Sequence, residues 1–191
     1  LVSQKTPLIK KLQTGEGRSL FKVGDTVVYG TNGTCEIVEI SEFDFTGEKT
    51  LYYVLRPKGD KSSLIYVPTD NKDLTSKMKY TLDEDEIRKL IESVADFEPL
   101  WVDNAIARKQ RCRDIVASGD RRELICMVKN LYHREKQMKA KGGKLNMTDE
   151  QYYRTAIKML CDEFSDVLKI SHEKLIPILT GEKELPPKAS A

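Results

Sequence analysis

The sequence predicts an α+β protein of two domains, a small β-barrel followed by a compact all-α bundle of about five helices, and three observations carry that expectation. Between Phe21 and Val67 apolar and polar residues alternate at strand period, broken at short intervals by glycine, asparagine or proline. Beyond Asp70 the apolar spacing changes to three and four residues, with a helix-start signal ahead of each stretch. The 191 residues suffice for two cores, and 39% hydrophobic with 32% charged content describes a globular chain.

The strands follow in order. Val27, Val28 and Tyr29 run into Gly30 and an Asn32-Gly33 turn; Cys35, Ile37 and Ile40 then alternate with Glu36 and Glu39 as far as Thr46-Gly47. Leu51–Leu55 predicts a third strand, Lys58-Gly59-Asp60 a turn, and Ser63–Val67 a fourth strand stopped by Pro68. Four or five strands in so short a span must curl to bury one face, which is the size of an SH3-like or Tudor-like barrel. In the second half Thr81-x-x-Glu84 has the capping-box pattern ahead of Ile87, Leu90, Ile91 and Val94. A second helix is expected from Trp101 to Ser118, closed by Gly119, and a third from Asp120-x-x-Glu123 to Gly142-Gly143. Thr148-x-x-Gln151 announces a fourth, with a stripe from Tyr152 to Leu168, and Ser171 a short fifth limited by Pro177. The expected organisation is an extension over 1–20, a barrel over 21–70, a linker over 71–82, a helical domain over 83–180 and a disordered tail over 181–191. The extension reads either as a genuine basic arm or as a segment added to the natural chain.

Net charge is only +2, yet Leu100–Lys144 holds twelve basic residues against five acidic ones while the flanking stretches are mildly acidic. A solvated helix face explains such a run in most proteins; the functional reading is a phosphate-binding surface. Cys35, Cys112, Cys126 and Cys161 show no CxxC spacing and read as reduced cysteines of a cytoplasmic protein, most of them core residues, with no metal and no cofactor expected. No apolar run is long enough to span a membrane. No phosphate loop, nucleophile elbow or zinc motif appears, and His133 and His172 have no evident catalytic partner, so no enzymatic activity is expected.

In order and spacing, "LFKVGDTVVYG", Gly33, "TGEKTLYYVLR" and "IYVP" resemble the polymerase-interaction domain of the CarD family of bacterial transcription regulators, a module shared with the transcription-repair coupling factor. "VASGDRRELICMVKNLYHREKQ", a Gly-rich basic loop and "TDEQYYRTAIKMLCDEF" resemble the helical domain of the same family. The resemblance implies a barrel that grips the RNA polymerase β subunit by strand addition, and a helical domain that touches promoter DNA at the upstream edge of the melted −10 region without reading sequence. An open barrel edge, with free backbone donors and acceptors, is suited to such pairing. The expected grip is Glu39, Ile40, Glu42, Phe43 and Phe45 with Tyr66 on a neighbouring strand; family members often carry basic residues where Phe43 and Tyr66 stand, so an aromatic contact is expected to replace an ionic one.

Trp101, the single tryptophan, corresponds to the family residue whose ring wedges at the upstream fork, where stacking is already broken. Arg108, Lys109, Arg111, Arg113, Lys141 and Lys144 are the expected phosphate contacts. The expectation is therefore a monomeric regulator that stabilises the open promoter complex. The alternative is a protein-interaction adaptor that binds polymerase through its barrel and a second protein through its helices.

Overall fold

The computed structural model describes residues 21–45 and 47–188. The expected extension over 1–20, Thr46 of the Thr46-Gly47 turn and residues 189–191 of the expected tail lie outside the described residues. The architecture is the expected α+β arrangement: a five-stranded antiparallel sheet, then a bundle of five helices. Strands β1 (Thr26–Tyr29), β2 (Thr34–Asp44), β3 (Lys49–Pro57), β4 (Ile65–Pro68) and β5 (Met78–Tyr80) lie in the order β4-β3-β2-β1-β5. The last strand falls inside the stretch expected as linker. A one-turn helix, α1 (Lys72–Thr75), capped by the Asn71 side chain, reverses the chain so that β5 pairs with β1, Val27 opposite Tyr80.

One face of the sheet closes over Val27, Cys35, Ile37, Tyr53, Leu55, Val67 and Met78. The expected Asn32-Gly33 turn is a single 3-10 turn, Gly30–Asn32, closed by Gly33 N donating to Gly30 O at 3.4 Å and bridged by Tyr29 N donating to Gly33 O at 3.0 Å. Gly33 has φ +70°, and a Cβ there would stand 2.9 Å from Asp162 Oδ2 on a helix of the second domain. Glycine is thus required twice, by the backbone and by the close approach.

Helices α2 (Glu84–Glu92), α3 (Ala105–Ser118), α4 (Arg121–Ala140), α5 (Met147–Leu168) and α6 (His172–Leu179) share a core in which Ile87, Val128, Ala156, Cys161, Phe164, Leu175 and Leu179 are fully buried. Three starts differ from the sequence pattern. Helix α2 opens on Asp83, whose carboxylate accepts from Glu86 N while Glu86 accepts from Asp83 N, both at 2.8 Å. Thr81 loses the capping role because Leu82 N is already engaged by Glu163 Oε1 at 3.0 Å, which keeps this stretch outside the helix. Helix α3 begins four residues after Trp101, where the Asn104 side chain accepts from Ile106 N and Ala107 N. Asn146 rather than Thr148 caps α5, accepting from Asp149 N at 2.9 Å. Gly119 closes α3 in the left-handed conformation as expected.

The two domains are bolted together. Arg121 and the almost fully buried Glu163 form a two-armed ion pair, and Arg121 Nη2 donates to Tyr80 O at 2.7 Å. Lys79 Nζ donates to Ser118 O at 2.6 Å, Thr34 Oγ1 to Asp162 O at 3.2 Å, and Lys58 pairs with Asp166 at 2.9 Å. Of the expected tail, residues 181–188 lie against the helices: Leu185 packs on the core, Arg88 donates to Pro186 O, and Lys188 pairs with Asp85.

Candidate functional site

Besides its outer strands β4 and β5, the sheet leaves an open edge along the far half of β2. Strand β1 pairs with β2 only as far as Glu36, with two last backbone bonds, Ile37 N to Asp25 O and Gly24 N to Ile37 O, whereas β3 follows β2 to Asp44. Among the described residues, the second half of β2 therefore has a strand on one side only, and its other side leaves backbone groups available to a partner strand. A register irregularity between Ile37 and Glu39 marks the point where the strand leaves β1.

Directly paired residues share a face of the sheet. Glu39, Val54 and Tyr66 form one such row, Ser41 and Tyr52 the next, and Phe43 and Thr50 a third, all opposite the core. On this outer face Phe43 and Phe45 stack at 5.5 Å, and Tyr66 stands edge-on to both at 5.1 and 5.2 Å. Tyr52 completes the group, 5.3 Å from Phe45. Phe45 is 57% exposed and Tyr66 38%, an aromatic platform beside an open strand edge. Of the six residues expected there, Phe43, Phe45 and Tyr66 are brought together and Glu39 shares their face. Ile40 instead packs on the core, and Glu42 lies on that same side. Tyr52 escaped the sequence reading, although its alternation with the buried Tyr53 is the period-two signal that locates it.

In the second domain Trp101 stands in the loop before α3, half-buried against the helical core. Two guanidinium groups lie over its ring, Arg108 at 4.3 Å and Arg134 at 4.8 Å from the centroid. Arg108 is a correction to the expected phosphate contacts. Its side chain is 11% exposed; Nε donates to both Asp149 oxygens at 3.1 Å, and Nη1 donates to Val102 O and Asp103 O at 2.6 and 3.1 Å. The buried Asp149 carboxylate, only 3% exposed, makes this arginine a strut that joins the first turns of α3 and α5 and fixes the Trp101 loop.

Lys109, Arg111 and Arg113 are exposed along α3, and Lys141 and Lys144 are exposed around the glycine loop after α4. They remain available to phosphates. Leu100 and Ile106, 71% and 82% exposed, flank the Trp101 loop, and Met147, 82% exposed, opens α5 at the end that Arg108 ties to α3. The sequence reading missed these three and Arg134. Arg134 sits more than thirty residues from Trp101, a separation no local periodicity reveals.

Burial pushes the Cys35 thiol up to about 11 and Cys161 up to about 12, and raises Cys112 and Cys126; Cys35, Cys112 and Cys161 are buried packing groups, and Cys126 is partly buried. Among the described residues no cluster of three His, Cys, Asp or Glu side chains could hold a metal, and no helix is long and apolar enough to cross a membrane.

Residues 21–79 match the family model of the CarD-like/TRCF RID domain, a transcription-related module whose span runs past Asp70 into β5, as the observed sheet does. A curated protein of Bacillus subtilis (strain 168), named "Putative transcription factor YdeB", is 28% identical over 136 residues, which cover 70% of this chain and 86% of that protein. The first part of the chain is thus similar to the CarD-like/TRCF RID domain, and most of its length is similar to a protein named as a transcription factor, which supports a transcription-related role.

Proposed function

We propose that this protein is a transcription regulator that holds the RNA polymerase β subunit through the open edge of β2 and stabilises the open promoter complex by touching promoter DNA with its helical domain. The observation that carries the reading is the pairing, in one bolted chain, of an RID-matching sheet bearing an exposed aromatic edge with a basic tip built around Trp101. A partner strand added along 38–44 gains backbone hydrogen bonds, and its side chains meet Phe43, Phe45, Tyr52 and Tyr66. The aromatic platform gives an attachment that is apolar and weakly sensitive to salt.

The helical contact has the opposite character. Lys109, Arg111, Arg113, Lys141 and Lys144 suit phosphates and carry no pattern for reading bases, so this contact is sequence-independent, steeply salt-dependent and weak without polymerase to hold it near. Trp101, flanked by exposed Leu100, meets the upstream edge of the bubble, where an inserted apolar group opposes reannealing. No catalytic step belongs to this function.

The test is the lifetime of the open complex after competitor challenge. Added protein is expected to prolong it, and Trp101→Ala to return it towards the value for polymerase alone. An unchanged lifetime with the intact protein overturns the reading.

A further inference from the structure

Strand β2 carries four exposed carboxylates, Glu36, Glu39, Glu42 and Asp44, and no basic residue. Strand β3 answers only two of them, with Arg56 opposite Glu36 and Lys49 opposite Asp44. Opposite charges that face each other across strands stabilise a sheet, and at the other two positions such a partner is missing. Val54 stands opposite Glu39, and Leu51 opposite Glu42. Among the described residues neither Glu39 nor Glu42 belongs to an ion pair. Both lie on the half of β2 that β1 does not cover, so the side left to answer them is the open edge. Glu39 is on the outer face, in one row with Val54 and Tyr66 of the aromatic platform. Ser41 Oγ donates to Glu39 Oε1 at 2.5 Å, which leaves the second oxygen for a partner. Glu42, three residues on, is on the opposite face.

We propose that the strand which adds to β2 carries two basic residues three positions apart, one facing Glu39 beside the platform and the other facing Glu42. This rests on the proposed use of the edge by polymerase and names the chemistry of the segment that it takes. Residues paired across strands share a face, so two cations so spaced meet one carboxylate on each side of the sheet. Arginine suits the outer position, because its planar guanidinium pairs with a carboxylate and also lies on an aromatic face. A strand with Asp or Glu at either position sets like charges against each other and is disfavoured. A slip of one residue carries both cations to the wrong faces, so the same two contacts fix the register. Two exposed ion pairs leave the salt dependence of this attachment shallow beside that of the DNA contact.

The full-length protein is titrated onto RNA polymerase. Glu39→Gln keeps the acceptor for Ser41 and removes only the charge. Glu39→Gln and Glu42→Gln are each expected to weaken binding about threefold to fivefold, and the double variant about tenfold or more. Glu36→Gln, whose carboxylate faces Arg56, is expected to weaken it less than about twofold. All three side chains are exposed, so the thermal midpoints stay near that of wild type. The losses are expected to shrink at high salt, which a purely structural effect does not do. Where the wild type binds polymerase, equal binding by the double variant, or a loss that salt does not reduce, overturns the proposal and leaves the attachment standing. Where it does not bind, the attachment fails, and peptides of alternating valine and threonine decide, with arginine, glutamine or glutamate at two positions three apart. Larger shifts of the 38–44 amides with the arginine peptide, lost in the double variant, then support the proposal. Equal responses to the three peptides, or none, overturn it.

Discussion

Arg108 commits its guanidinium to Asp149 and to the carbonyls of Val102 and Asp103, whereas Lys109, its neighbour, is exposed on the same helix. Arg108→Ala leaves a buried carboxylate without its counter-charge and is expected to cost about 3–5 kcal/mol in urea unfolding. Lys109→Ala is expected to change stability by less than about 0.5 kcal/mol. It is expected instead to lower the salt slope of forked-DNA binding by about one unit. One basic run therefore contains both kinds of residue. Charge and spacing could not separate them, because the distinction depends on Asp149, which arrives from another helix forty-one positions away.

Among the elements, β2 is the most legible and the most informative. Its alternation of Cys35 and Ile37 with Glu36 and Glu39 marks which side faces the core, and its far half is a free edge because β1 pairs with it only as far as Glu36. Phe45→Ser is expected to leave the unfolding midpoint within a few degrees of wild type, since the ring is 57% exposed. The same change is expected to weaken binding to the polymerase β subunit by about tenfold or more, as loss of an aromatic anchor does. The helix starts were less legible. Thr81 and Thr148 match the capping pattern, yet Asp83 and Asn146 take the positions because they satisfy the first-turn donors and Thr81 lies in a segment held out by Glu163. Helix existence and faces follow from local periodicity; the first residue depends on competing hydrogen bonds.

For the whole molecule, the division into a strand half and a helical half was readable from the change of period near Asp70. The join was not, since 71–82 reads as a linker while β5 and Leu82 are held by long-range partners. Arg121→Ala removes the counter-charge of buried Glu163 and the bond to Tyr80 O, and is expected to split a single calorimetric transition into two. The segment 181–188 responds to acid. Lys188, bonded to Asp85, holds that carboxyl below its usual range; the Tyr132 hydroxyl and then Lys136 do the same for Glu182. Depressed carboxyls contribute stability above their unfolded values, near about 4, and lose it as pH falls through the folded values. Amide protection in 181–188, measured against the intrinsic exchange rate at each pH, is therefore expected to fall below about pH 4, before that of the helical core does.

The contact at Gly33 has a mechanical meaning. With no side chain at that position, the first turn of the sheet rests directly on Asp162, and the ion pairs beside it stop the two halves from swinging. The protein is then a ruler rather than a tether: a partner held at the β2 edge finds the Trp101 tip at one set distance and angle. Lengthening the chain between the halves would not extend its reach, whereas any side chain at position 33 would change the measurement.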